Sequence, residues 1–384
     1  MVFSEKKRNS VIITTCIIEY KYQVKRVKDR IISLQVIRAF AFVLIFLSHA
    51  EVIATGAVGV SLFLVLSGFC MTYAYLDRCD KETDTSIINS LKFLWRKQKR
   101  LYPLHIITLL FVALITFAGL FLHKSSWSAI VKQCAYFVFN GLLLQSWIPW
   151  RDGYFSFNAV SWYLSTICFS YFVFPWVFKV VQSKNSKRII TLAIVVIGIM
   201  VILAVVLGIG YSSFGWSQEF LKWSTYICPL YRLGDFIIGM IAGYVFISRR
   251  TPKPGRLSSS VFEIAVAVVL VLQIILYNKG LQTPNWMYSL YWIPTSLILI
   301  YFFAVNNGVI SLLFSRSKVI VWLGNISGEA FLIHQICIKA VEVVVKQRII
   351  VVVMSFALTI ICTMIWRGIY NKLLKLISRR HITE

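Results

Sequence analysis

The sequence predicts an all-α polytopic membrane protein with about ten transmembrane helices and both termini cytoplasmic. Three observations predict it. Residues of the AVILMFWYC set make up 58% of the chain, only 14% is charged, and the mean hydropathy is +0.75. Soluble domains are typically about 45–50% apolar and about 25% charged. Windows of about twenty residues with almost no charge recur along the chain, each long enough to cross a hydrocarbon core of about 30 Å as a helix. Finally, with the N-terminus inside, most of the 40 Lys and Arg fall on the cytoplasmic side, the asymmetry that orients helical membrane proteins. The net charge of +25 is therefore a topology signal with some attraction to anionic lipid headgroups, not a nucleic-acid footprint.

Taken in order, residues 1–30 are basic around one short apolar run, Val11 to Ile18, too short to span. They read as a cytoplasmic extension with no cleavable signal peptide. Spans fall near 34–54, 57–76, 101–122, 158–178, 189–210, 226–247, 260–278, 287–305, 320–340 and 349–366. The loop after the second span opens with Asp77, Asp80, Glu82 and Asp84 and closes with Arg96-Lys97-Gln98-Lys99-Arg100-Leu101-Tyr102-Pro103. Proline is tolerated there because the first turn of a helix has no amide partner to lose. Residues 126–148 are apolar but contain Lys132, Gln133, Asn140 and Gln145. Counting them as a span would invert every later loop against the charge rule, so they read as an outer-face helix or a re-entrant element. The segment Ser248 to Arg256 is a basic turn. Residues 31–369 form one membrane domain, and 370–384 a basic cytoplasmic tail that can lie on the inner leaflet. The eight cysteines form no CxxC pair and read as small buried hydrophobes; no metal site is implied.

Ionisable groups inside a span cost free energy, about 2.5–3.5 kcal/mol for a central arginine, and are functional suspects by default. Arg38 and His49 share the first span. Their spacing is close to three helical turns, which puts both on one face, roughly 16 Å apart along the axis. Either they form a site reached from one side of the membrane, or they are a snorkelling arginine and a packed histidine. Arg96, Lys97 and Arg100 cluster on one face of a helical lead into the third span. Guanidinium and ammonium groups there suit a polyphosphate, and lipid headgroups are the plainer partner. Arg232 and Asp235 stand at i, i+3 in the sixth span and can neutralise each other. Glu329 and His334 lie in the ninth span, and Glu51 is placed near the outer surface. Ser67, taken alone, is a helix-packing residue.

Several segments together resemble the acyltransferase 3 family of integral membrane O-acyltransferases. Arg38 and His49 match its Arg-x10-His signature, and Gly59 to Phe69 is similar to its Gly-Val-x-x-Phe-Phe-x-Leu-Ser-Gly-Phe segment. Arg96 to Pro103 resembles its arginine-rich stretch, and Ser161-Trp162-Tyr163-Leu164-Ser165 its Trp-x-Leu opening. Arg232 to Met240 is similar to Arg-x-x-x-Phe-x-x-Gly-Met, and Leu323 to Gln335 to the late Leu-Ile-His-Gln block. Each piece is weak alone; six in order, from about Ile31 to Ile369, are a specific signal. The chain departs where many members carry acidic residues, with Gln35 before the arginine and Thr166-Ile167-Cys168-Phe169 after Trp-x-Leu-Ser. That leaves the activation of His49 without an obvious carboxylate.

The resemblance implies a multi-pass protein of the bacterial cytoplasmic membrane that moves an acyl group, usually acetyl, from cytoplasmic acyl-CoA to a hydroxyl. The implied acceptor is an envelope glycan or its lipid-linked precursor. Arg96, Lys97, Arg100 and Arg38 would hold the coenzyme phosphates. His49 would act as general base or as a transient acyl carrier, with Ser67 and His334 lining the same cavity. The competing class is a transporter or flippase for an anionic or lipid-linked substrate, using Arg38, Arg232, Asp235 and Glu329. The absence of repeat symmetry in the sequence counts against it.

Overall fold

Each predicted span lies on a helix of the computed structural model, which describes residues 30–76, 85–183, 185–248, 254–279 and 288–383, with side chains to residue 376. The extension up to residue 29, the acidic residues 77–84 and the turn residues 249–253 lie outside the described residues. From Ser33 onward the chain forms one unit, and among the described residues it is helical without strands. We number the helices α1 Ser33–His49, α2 Gly56–Tyr75, α3 Ile87–Gln98, α4 Tyr102–Leu122, α5 Trp127–Gly141, α6 Trp162–Gln182 and α7 Ser186–Phe214. There follow α8 Pro229–Ser248, α9 Arg256–Asn278, α10 Ile293–Val305, α11 Val309–Arg316, α12 Lys318–Val344 and α13 Arg348–Thr383.

Among the described residues, eight helical segments are long and apolar enough to cross a membrane, or nine if the bent pair α10–α11 is one span. The difference from the expected ten or so lies in α1, an apolar helix of only 17 residues, and in α10, which breaks off into α11 at 68°. The outer surface of α7 carries Ile194, Ile197, Val201 and Val205, all exposed. A surface that apolar requires lipid, and the protein is an all-α polytopic membrane protein. Residues 126–148 form no span: α5 has 15 residues, with Ser126 accepting the Ala129 amide at its start. The predicted tail is continuous with the last span, since α13 runs unbroken to Thr383.

Glycines set the central packing. A Cβ on Gly239 of α8 would stand 2.0 Å from the Val65 carbonyl of α2, and one on Gly324 of α12 would stand 1.9 Å from that of Gln35 in α1. These helices therefore touch backbone to backbone, as small-residue faces allow. Gly59 faces Ala41 and Ile45 of α1, whereas Gly68 faces Phe236 of α8.

Two helix ends are fixed by contacts from distant segments. Past His49, Glu51 adopts a left-handed backbone (φ 54°). Its amide reaches the Ser48 carbonyl at 3.2 Å, and that of Val52 reaches Leu47 at 3.0 Å. This is the Schellman pattern that stops a helix. Thr55 then donates to the Leu44 carbonyl at 2.6 Å, and Arg348 holds Glu51 at 2.6 Å. At the α10–α11 bend, the buried carboxylate of Glu263 in α9 accepts the amides of Ile310 and Ser311 at 2.9 and 3.1 Å. Ser260 accepts that of Val309 at 3.1 Å. The first-turn amides of α11, which have no partner within the helix, are thus capped from α9.

Candidate active site

His49 is the last residue of α1, so it stands at the helix terminus rather than in the middle of a longer span. Its Nδ1 lies 2.7 Å from Nε2 of His334, and the two rings are stacked with centroids 5.0 Å apart. His334 is fully buried in α12, against Phe42, Phe46 and Phe331. Its Nδ1 lies 2.7 Å from the Phe331 carbonyl. A carbonyl can only accept, so Nδ1 of His334 carries the proton and, in the neutral ring, Nε2 is an acceptor. His49 must then donate from Nδ1, and its Nε2 is left with a free lone pair. These tautomers follow from the hydrogen-bond network.

His49 lines a cavity of about 450 Å³. Around it are Arg151, Lys222 and Lys339, together with Trp162, Tyr226 and Tyr288. Arg38 opens on a second, narrower cavity of about 110 Å³, shared with Ser67, Lys97 and Gln98. The two linings have no residue in common. Phe63, Tyr163 and Phe331 line the Arg38 cavity and pack against one another at 5.3–6.2 Å. Phe331 in turn contacts the His334 ring at 5.7 Å.

Five of the predicted site residues therefore fall into two groups, and Arg96 and Arg100 into neither. His49 and His334 form a dyad, but His334 is behind His49 and Ser67 belongs to the Arg38 cavity. The expectation that Ser67 and His334 line one cavity is not what the structure shows. Lys97 reaches the Arg38 cavity while donating to the Tyr75 hydroxyl at 2.9 Å. Arg96 is exposed at the end of α3. Arg100 is engaged elsewhere: its Nε and Nη2 bond Oε1 of Glu329 at 3.1 and 2.6 Å. Glu329 is 4% exposed and Arg100 53%, with Arg367 a further 3.8 Å neighbour of the same oxygen. Arg232 and Asp235 form a fully buried pair at 3.4 Å. Ser61 and the Tyr288 carbonyl accept from the guanidinium, and Ser289 donates to the carboxylate.

Among the described residues no carboxylate is hydrogen-bonded or ion-paired to His49; its ring is oriented by the His334 imidazole, itself held by the Phe331 carbonyl. Three contributors escaped the sequence reading. Lys339 sits within a predicted span and could have been found by the rule that flagged Arg38. Arg151 and Lys222 look like ordinary loop cations until the fold gathers them.

No solved structure matches the chain. The chain is similar to "Acyltransferase MdmB" of Streptomyces mycarofaciens, 25% identical over 297 residues that cover 74% of this chain and 68% of that protein. The model of the acyltransferase 3 family, described as an acyltransferase domain, matches residues 31–367, a stretch containing both cavities and the His49–His334 dyad. The chain belongs to the acyltransferase 3 family of membrane acyltransferases.

Proposed function

We propose that this membrane acyltransferase moves an acyl group, acetyl foremost, from cytoplasmic acyl-CoA to a hydroxyl of a surface polysaccharide or its lipid-linked precursor, in the bacterial cytoplasmic membrane. The observation that carries the reading is the His49–His334 hydrogen bond, which leaves Nε2 of His49, a residue that lines a 450 Å³ cavity, free to act as a base. A hydroxyl is a poor nucleophile at neutral pH, and an imidazole is suited to take its proton as attack begins. The hydroxyl oxygen bonds to the acyl carbon, the C–S bond breaks, and the coenzyme thiolate leaves. The proton held on Nε2 then goes to the thiolate or to solvent. Attack by Nε2 itself, giving an acyl-imidazole that the hydroxyl then resolves, uses the same free lone pair.

Donor binding would fall to Arg38 and Lys97 in the narrow cavity, with Ser67 on the same lining as a hydroxyl partner, and to the exposed Arg96 next to Lys97 in α3. Arg100 would contribute through position, since Glu329 already holds it. The coenzyme's long pantetheine arm would have to displace the Phe63–Tyr163–Phe331 layer to bring the thioester to His49. The test is glycan acetylation in cells carrying His49→Ala, read by NMR of base-labile acetyl signals. Loss of acetyl with the protein still present in the membrane is the expected result. Unchanged acetylation would overturn the assignment. The transporter reading is separated by acetyl-CoA binding to the purified protein, which only the enzyme requires.

A further inference from the structure

The cavity in front of His49 is strongly cationic, and its cations come from three separate places in the chain. Arg151 lies in the single turn Arg151–Tyr154, Lys222 at the end of the short helix Gln218–Lys222, and Lys339 in the last turns of α12. All three line the cavity with His49. Among the described residues none of them has a carboxylate within salt-bridge distance, and no carboxylate lines the cavity. Glu219 interacts with Lys222 from outside the lining, and Glu51 is held by Arg348. The Arg232–Asp235 pair behind Tyr226 and Tyr288 is internally neutralised.

On the orientation that the loop charges predict, the cavity lies on the side that carries few of the 40 Lys and Arg, which makes the convergence informative. Gathering three like charges around one cavity costs repulsion that a bound anion would relieve. Trp162, Tyr226 and Tyr288 add broad aromatic surfaces with polar edges to the same walls. Such surfaces suit the alternating apolar and hydroxylated faces of a sugar ring. Resting on the acyltransferase reading, we infer that the acceptor is an anionic sugar, carrying a carboxylate or phosphate. Its charge is held by Arg151, Lys222 and Lys339 while a hydroxyl of the ring faces Nε2 of His49.

Binding to the purified full-length protein tests this without any acyl transfer. Methyl glucuronide, glucose 1-phosphate and the neutral methyl glucoside are titrated, following tryptophan fluorescence or heat. The charged probes should bind about tenfold tighter than the neutral one, the scale of several partly exposed charge contacts acting together. That preference should collapse in the Arg151→Gln/Lys222→Gln/Lys339→Gln variant and return in Arg151→Lys/Lys222→Arg/Lys339→Arg, which guards against a simple folding defect. Equal binding of charged and neutral probes, or no binding of the charged ones, overturns the inference. Displacement of the glucuronide by CoA would assign the cations to the donor, and displacement by phosphatidylglycerol would assign them to lipid headgroups. Either outcome refutes an anionic acceptor. Failure of the His49→Ala experiment would instead remove the acyltransferase assignment while leaving this binding result standing.

Discussion

Replacing His334 separates a positioning role from mere packing. Its Nε2 accepts from His49 at 2.7 Å while its Nδ1 donates to the Phe331 carbonyl. In His334→Leu, the volume is roughly kept but the Nδ1 proton of His49 loses its acceptor. An unsatisfied buried donor costs about 1–3 kcal/mol. The ring escapes that cost by turning or by moving its proton to Nε2, and either change removes the reactive lone pair from the cavity. Since about 1.4 kcal/mol is a factor of ten, the productive arrangement falls by roughly 5- to 150-fold. His334→Gln should retain more activity, because one amide can accept from His49 through its oxygen and donate to Phe331 through its nitrogen. The assay is acetyl-CoA turnover, as thiol release, by purified protein with a membrane fraction of the producing cells as acceptor. The drop should appear in kcat, with KM for acetyl-CoA little moved, because the cations proposed to hold the coenzyme line the other cavity. A Leu variant within threefold of wild type would refute the reasoning, as would Leu and Gln variants that are stable and equally impaired.

Four further predictions concern the helix frame and two of the basic residues. Gly239→Ala should lower thermal stability in detergent by about 1–3 kcal/mol, the usual cost of overpacking, because its Cβ meets the Val65 backbone at 2.0 Å; an unchanged melting temperature would contradict that contact. Glu263→Ala leaves the Ile310 and Ser311 amides uncapped and should cost about 1–2 kcal/mol, whereas Glu263→Gln, which keeps an acceptor, should cost less in the same melting assay. Arg38→Gln should raise KM for acetyl-CoA by about tenfold, the scale of one lost charge-assisted contact. Arg100→Gln should chiefly destabilise the protein by exposing the unpaired buried carboxylate of Glu329, and a larger KM effect from Arg100 than from Arg38 would reverse these roles.

The positions of the spanning helices were determined by the sequence alone, because a bilayer demands long apolar segments whatever they pack against. The alignment of Arg38 and His49 is likewise an expectation from the period of one helix, and the fold opens the two onto different cavities. The six ordered motifs were equally legible, and they identified the family. Helix ends were less so: α1 stops at His49 through a left-handed Glu51, a position that glycine more often fills. The α10–α11 bend depends on a carboxylate from α9, whose partner amides are 47 and 48 positions away. What only the tertiary structure decided is which groups meet. His49 and His334 are 285 positions apart, and the proton between them is set by the Phe331 carbonyl. Arg100 reads from sequence as a coenzyme cation, and its ion pair with Glu329, 229 positions away, comes only from the fold. Lys222, Arg151 and Lys339 become one site only when the fold brings their segments to one cavity. Bilayer length and helical period act on neighbours in sequence, whereas hydrogen bonds and charge act on neighbours in space.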